Sequence, residues 1–239
     1  MGNKTIFTYC LLCTQLLFAA CNTAASPKPL VQSNVVLEDY DSLKAEILQV
    51  RNNFYQQYAQ ADENKKGQII DSAQQYLLHT IVNRIFLQWY NTPWEFYGTT
   101  QKPQQGTIAC GYFVTTVLHD AGLNVPRINW AQQASETMIK KMTANIKRFS
   151  NVEITEFEKY FADKTEGLYI VGLDNHVGFI YKLNGKLQFV HSSYYHPSTG
   201  VMSEDLNGYN PLANSKYRVV GKILERDMIV KWILNEKYV

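Results

Sequence analysis

Cysteine is scarce in this chain of 239 residues, and the four present are unevenly placed. Cys10, Cys13 and Cys21 fall in the first 21 residues, so Cys110 is the only thiol in the remainder. No H-x-x-x-H pair occurs, and no C-x-x-C pair outside that N-terminal segment, so neither a metal nor another cofactor is expected. An excess of one charge is also missing, with 23 Lys and Arg against 21 Asp and Glu. No basic patch interleaves with aromatics, which removes nucleic acid from the expected partners. Internal repeats and low-complexity blocks are absent as well. The one long apolar run, near the N-terminus, is broken by Thr8, Thr14 and Gln15, which argues against a permanent membrane span.

What is there begins with MGNKTIFTYCLLCTQLLFAAC. Lys4 in a short polar start, an apolar run and small Ala19 and Ala20 read as an export signal over residues 1–20. The ending Leu17-Phe18-Ala19-Ala20-Cys21 resembles a bacterial lipobox, with Phe18 where leucine is usual. That resemblance implies lipid on Cys21 and an exported protein held to the bacterial envelope, touching membrane through its anchor only. Residues 21–36, polar and carrying Pro27 and Pro29, suit a flexible tether. With Cys21 lipidated, no intramolecular disulfide can form. A lone thiol in an oxidising compartment is then either buried or used.

Residues 37–63 and 67–90 read as two helices around a turn at 62–67, together a helical extension over 37–90. A domain over 91–239 follows. Residues 131–147 read as a further helix. GLYIVGL (167–173), HVGFIYKL (176–183), LQFVHSS (187–193) and YRVVGKI (217–223) read as strands, and Asn184-Gly185 as a hairpin turn joining the middle two. LERDMIVKWILNE suits a strand or a short helix. Helices first and an antiparallel sheet afterwards predict an α+β fold. His79 and His119 are expected at the surface, with Asp120 and Glu95 solvated. His196 lies in a loop before Pro197.

In GTIACGYFVTTVLHDAGL (106–123), Phe113, Val114, Val117 and Leu118 recur at helical spacing and Gly122 suits a C-cap. Cys110 falls in the first turn, where free N–H groups and the helix dipole favour an anion such as a thiolate. Across a two-residue turn at 184–185, His176 faces about Ser193 and His191 about Gly178. The two imidazoles then share a face as diagonal neighbours. Together they supply a division of labour: Cys110 as nucleophile, His176 as base in a thiolate–imidazolium pair, and His191 fixing the tautomer of His176.

Over about residues 85–206 the chain resembles the NlpC-like cell-wall cysteine peptidases of the papain-like superfamily. TPWEFYG (92–98) is similar to that family's Thr-Pro-Tyr-x-x-x-Gly lead-in, and ACGYFVTTVLHDAGL (109–123) to its cysteine helix. NVPRINWAQQ (124–133) is similar to its Leu-Pro-Arg loop, and residues 166–193 to its histidine-bearing strands. The resemblance implies a papain-like fold, with Cys110, His176 and His191 as nucleophile, base and orienting residue. It also implies hydrolysis of an amide in peptidoglycan stem peptides. Ala109 and Gly111 replace the family's Asp and Ser beside the cysteine, and Trp94 its oxyanion Tyr. Oxyanion candidates are therefore Trp94, Tyr97, Gln104 and Gln105, and Trp130, Tyr194 and Tyr195 are candidates to line the groove. Two alternatives stay open: the same machinery acting on another amide or ester, or as an acyltransferase, and a non-catalytic binding lipoprotein on a degenerate enzyme fold.

Overall fold

Two aspartates decide where the first helices begin. Asp39 accepts a hydrogen bond from the Ser42 N–H at 2.8 Å and opens α1, Tyr40–Gln60. Asp62 accepts from the Lys65 N–H at 2.9 Å and opens α2, Glu63–Thr80. The turn expected over 62–67 is therefore confined to Ala61 and Asp62, because the Asp62 cap lets the chain turn helical at once. The computed structural model describes Met1, Gly2 and residues 38–238. The export-signal, lipidation and tether readings, with Cys10, Cys13 and Cys21, fall outside the described residues.

After α2 the chain passes through a π-helical turn, Ile81–Ile85, into α3, Phe86–Trp89. The helix expected over 131–147 is three elements: the end of α5 (Arg127–Ala131), α6 (Ser135–Met142) and the start of β1 (Ile146–Ser150). Upstream of these, after α3, lies α4, Cys110–Asp120. There follow α7 (Ile154–Lys159), β2 (Gly167–Leu173), β3 (Val177–Leu183), β4 (Lys186–Ser192) and β5 (Val201–Glu204). A short α8 (Pro211–Asn214), β6 (Tyr217–Ile223) and α9 (Arg226–Ile233) complete the series. The undecided C-terminal segment is thus helical, burying Met228, Ile229, Trp232 and Ile233 on one stripe.

The six strands form one antiparallel sheet in the order β1-β6-β2-β3-β4-β5, and the fold is α+β. Asn184 and Gly185 take φ of 51° and 73°, the left-handed pair a two-residue hairpin needs. They set Phe179 opposite Val190 and Leu183 opposite Lys186, the register expected from sequence. Helix α4 lies against β3 and β4, over Val177, Phe179 and Val190. The other face, with Tyr169, Val171, Ile180 and Phe189, is covered by Phe157, Phe161, Leu206 and Leu212.

The helices over 40–89 share the main core. Leu43, Ile47, Leu77 and Trp89 belong to the same buried cluster as Phe113 and Val117 of α4 and Trp232 of α9. Trp232 Nε1–H donates to the Ala121 carbonyl at 2.8 Å, and Arg51 reaches the Gly122 carbonyl at 2.9 Å, tying α9 and α1 to the far end of α4. Asp120, expected in solvent, is instead nearly covered, with its side chain 9% exposed. It accepts from Tyr40 Oη–H at 2.8 Å, and Tyr40 Oη accepts from Trp89 Nε1–H at 2.7 Å. Burial and the Asp120 charge push the Tyr40 phenol far above its usual range.

Candidate active site

Cys110 is the first residue of α4. The strand-like approach to it is pinned from two sides. Ile108 N–H donates to the Pro93 carbonyl and Ala109 N–H to that of Gly98, both at 2.9 Å. From the sheet, Ser192 Oγ–H donates to the Ile108 carbonyl at 2.7 Å. The sulfur is partly buried and meets the backbone N–H groups of Val177, Gly111 and Cys110 itself. Burial is the larger influence and pushes the thiol up, while those three donors pull it down. Gly111 has a steric reason: a Cβ there would fall on the Ala131 carbonyl oxygen of α5.

His176 stands just ahead of β3, beside Val177, whose N–H meets the sulfur. Its Nε2 lies 2.8 Å from Nδ1 of His191, with the rings perpendicular at 89°. The even offset read from the hairpin therefore does bring the two imidazoles together. His191 is fully buried and stacks on Phe189 at 4.1 Å. Its Nε2 lies 2.6 Å from Glu204 Oε2 on β5. Gly178, directly across from His191, leaves the room that this ring stack needs. A Cβ there would sit 2.6 Å from the Phe189 ring and 2.8 Å from His191 Cβ. The remaining ring nitrogen of His176, Nδ1, is buried with no hydrogen-bond partner among the described residues.

Burial, reinforced by His191, holds His176 well below the usual histidine range. Burial and then His196 bring His191 down to about 3, and burial pushes the Glu204 carboxyl up. At neutral pH both imidazoles are therefore neutral. With the thiol also pushed up, burial favours a neutral thiol and a neutral imidazole over the thiolate–imidazolium pair expected from sequence.

Two clefts share Cys110 and His176. One, about 470 Å³, is walled by Trp94, Phe96, Tyr97, Tyr112 and Tyr194, and no charged side chain lines it apart from what His176 would carry if protonated. The other, about 580 Å³, includes Glu136 and Asp174. Both carboxylates are already engaged. Glu136 takes hydrogen bonds from Lys140, Tyr217 and Arg148, which hold it at about 2. Asp174 takes the Lys216 N–H at 2.7 Å and the Ser215 hydroxyl at 2.9 Å.

The oxyanion candidates separate cleanly. Trp94 lines the aromatic cleft, and its Nε1–H is buried with no partner among the described residues. Tyr97 lines the same cleft but is 83% exposed. Gln104 lines neither cleft: its side-chain amide donates to the Gln88 carbonyl at 3.2 Å and its N–H to Thr92 Oγ1 at 2.8 Å. Gln105 is exposed and also lines neither.

Of the groove candidates, only Tyr194 lines a cleft, with its ring 5.2 Å from that of His176 and 6.0 Å from Trp94. Trp130 is fully buried against Tyr238 and lines neither cleft, since the C-terminal chain folds over it. Tyr195 packs on Tyr194 and Tyr209, away from both. His79, His119 and Glu95 are exposed. His196 is exposed beside Tyr209, close enough for its charge to act on His191 and Glu204. The sequence reading missed Glu204, Tyr112 and Asn175, the last of which lines both clefts. A four-residue strand of Val-Met-Ser-Glu gave the alternation too little length to register.

Comparison with known proteins returns no match, whether to family models, to curated proteins or to solved structures.

Proposed function

We propose that this chain is a papain-like thiol hydrolase that cleaves an amide through an acyl-enzyme on Cys110, with peptidoglycan stem peptides as its substrate class. One observation carries the reading. The only unoccupied ring nitrogen in the His176–His191 pair, Nδ1 of His176, belongs to a residue that shares both clefts with a thiol at a helix N-terminus. A buried acceptor without a partner is costly to a fold that does not use it.

In this mechanism the Cys110 proton passes to His176 Nδ1 as sulfur bonds the substrate carbonyl carbon. The oxygen, now negative, takes hydrogen bonds from the Cys110 N–H and Trp94 Nε1–H. On collapse the C–N bond breaks and His176 gives its proton to the departing amine. Water then adds to the thioester, His176 accepting its proton, and the carboxylic acid leaves with the thiol restored. Envelope attachment through Cys21 would keep the enzyme beside its substrate.

The charge-free aromatic cleft favours a second reading within the same chemistry. The group seated there is uncharged, so the scissile bond belongs to an amide or ester without a free amine on that side, or the acyl group passes to an amine instead of water.

Incubation with soluble cell-wall fragments, followed by mass analysis, tests the first reading. Hydrolysis of a stem-peptide amide by the native chain and not by Cys110→Ala is expected. In parallel, alkylation of Cys110 should climb between pH 7 and 9, with no plateau already reached at pH 6, and His176→Ala should slow it at pH 7.5. A reactive thiol that cuts no stem peptide would sink the substrate and leave the second reading.

A further inference from the structure

We infer that Glu204 is a positioning residue that orders the protons along a Glu204–His191–His176 chain, and that protonating its carboxylate reverses that order and removes the base from Cys110. The inference rests on the reading that Cys110 and His176 react together. Its basis is geometric: two hydrogen bonds in series, 2.6 Å from Glu204 Oε2 to His191 Nε2 and 2.8 Å from His191 Nδ1 to His176 Nε2.

Each neutral imidazole has one donor and one acceptor nitrogen, so the first member of the chain dictates all the others. An ionised Glu204 can only accept. His191 must then carry its proton on Nε2 and accept on Nδ1. His176 must donate from Nε2, which leaves Nδ1 bare, as a base for the thiol requires. A protonated Glu204 donates instead. The proton on His191 then sits on Nδ1, and that on His176 sits on Nδ1 too, facing the thiol with nothing to accept. The balance is one proton gained. The His191 Nε2 proton moves to Glu204, the His176 Nε2 proton to His191 Nδ1, and one from solvent lands on His176 Nδ1. Neither ring becomes charged.

Packing makes the chain rigid enough to transmit this. The Glu204 side chain is 14% exposed and that of His191 fully buried. Phe189, directly opposite Glu204 in the sheet, stacks on His191 at 4.1 Å. Glu204 and His191 share a face because His191 lies opposite Met202, two residues before Glu204. The titratable groups around the chain are few. His196, from the loop ahead of β5, acts on Glu204 and His191; Cys110 and Tyr194 lie on the His176 side, and Glu136 and Asp174, both already hydrogen-bonded, line the second cleft with it. Burial pushes the Glu204 carboxyl up and holds both rings down, and the two shifts together favour the carboxylate over the rings as the group that takes a proton on acidification.

Nitrogen-15 spectra of the histidine-labelled protein read the order directly, with no substrate needed. At pH 8 the native chain should show His176 with Nδ1 bare and Nε2 protonated. Lowering the pH should exchange the two without forming an imidazolium. Glu204→Gln should abolish that pH-dependent exchange and slow Cys110 alkylation at pH 7.5 by about 10-fold or more, while Glu204→Asp should restore part of both. His176 protonated on Nδ1 at pH 8, or a Glu204→Gln protein with native spectra and a native alkylation profile, would overturn the inference. Correct ordering with an inert Cys110 would instead overturn the hydrolase reading alone.

Discussion

Gly178→Ala is a one-carbon change that should damage the chemistry more than the fold. The added Cβ would lie 2.6 Å from the Phe189 ring, 2.8 Å from His191 Cβ and 2.9 Å from the Val190 carbonyl oxygen. Ordinary contacts of this kind begin near 3.4 Å. Two of the three obstacles are backbone or Cβ atoms, so no rotamer change relieves them. Strand β4 must retreat by several tenths of an ångström, or β3 must buckle. Overpacking of this sort costs about 1–3 kcal/mol, which in a domain of this size lowers the melting temperature by about 2–12 °C. The same retreat lengthens the 2.8 Å bond between His191 and His176 and so shifts the ring that, on the proposed reading, serves the thiol. A misplacement of about 1 Å can lower a rate by roughly 100-fold, so a shift of several tenths should cost about 10-fold. Thermal melting and Cys110 alkylation at pH 7.5, run side by side, separate the two effects. A variant that melts a few degrees early yet alkylates at the native rate would refute the claim that Gly178 exists to seat His191.

Acid should weaken the fold before ordinary carboxylates titrate. His191 is held at about 3 against a usual value of 6.5, so below pH 6.5 the unfolded chain binds a proton that the native one refuses, and stability falls as pH falls. At pH 5 the loss from His191 is about 2 kcal/mol. His176 adds in the same direction and Glu204, pushed up, opposes part of it. Urea midpoints at pH 7 and pH 5, compared with those of His191→Phe, would check this; equal slopes in the two proteins would contradict it. Tyr40→Phe should destabilise by about 1–3 kcal/mol, because it leaves both Trp89 Nε1–H and the covered Asp120 carboxylate short of a partner. An unchanged urea midpoint would mean that water replaces the lost hydroxyl.

What the sequence disclosed was whatever local chemistry dictates. Asn184-Gly185 demands left-handed backbone, so the hairpin, its register and the meeting of His176 with His191 could be written down beforehand. The β-branched runs at 167–173 and 217–223 are buried on both faces and read as strands for that reason. Strand β1, with Lys147 and Arg148 exposed at the sheet edge, carries no such pattern and blended into the preceding helix. Asp120 and Trp130 were misjudged because their covers, Tyr40 and Tyr238, lie 80 and 108 positions away in sequence. Gln104 was misjudged because its loop takes a positive φ of 58° and turns the amide toward Gln88. Within the site, Cys110 at the start of α4 and the paired rings were legible. The carboxylate behind them was not, since only the β4–β5 pairing reveals it.

The joining of α1 to α9 has a consequence for the order in which the molecule can be made. Arg51 of α1 bonds Asn235 just past α9 at 2.9 Å, across 184 positions, and Phe54 packs on Trp232 at 6.0 Å. During synthesis α1, the first of the described helices, therefore keeps the part of its apolar stripe that faces α9 uncovered until nearly every other residue has been added. Contacts this distant in sequence also form late and slowly once the chain is complete. A nascent chain stalled anywhere before residue 226 lacks the piece that closes its own core. It should remain sensitive to proteases and available to chaperones for the whole of its translation.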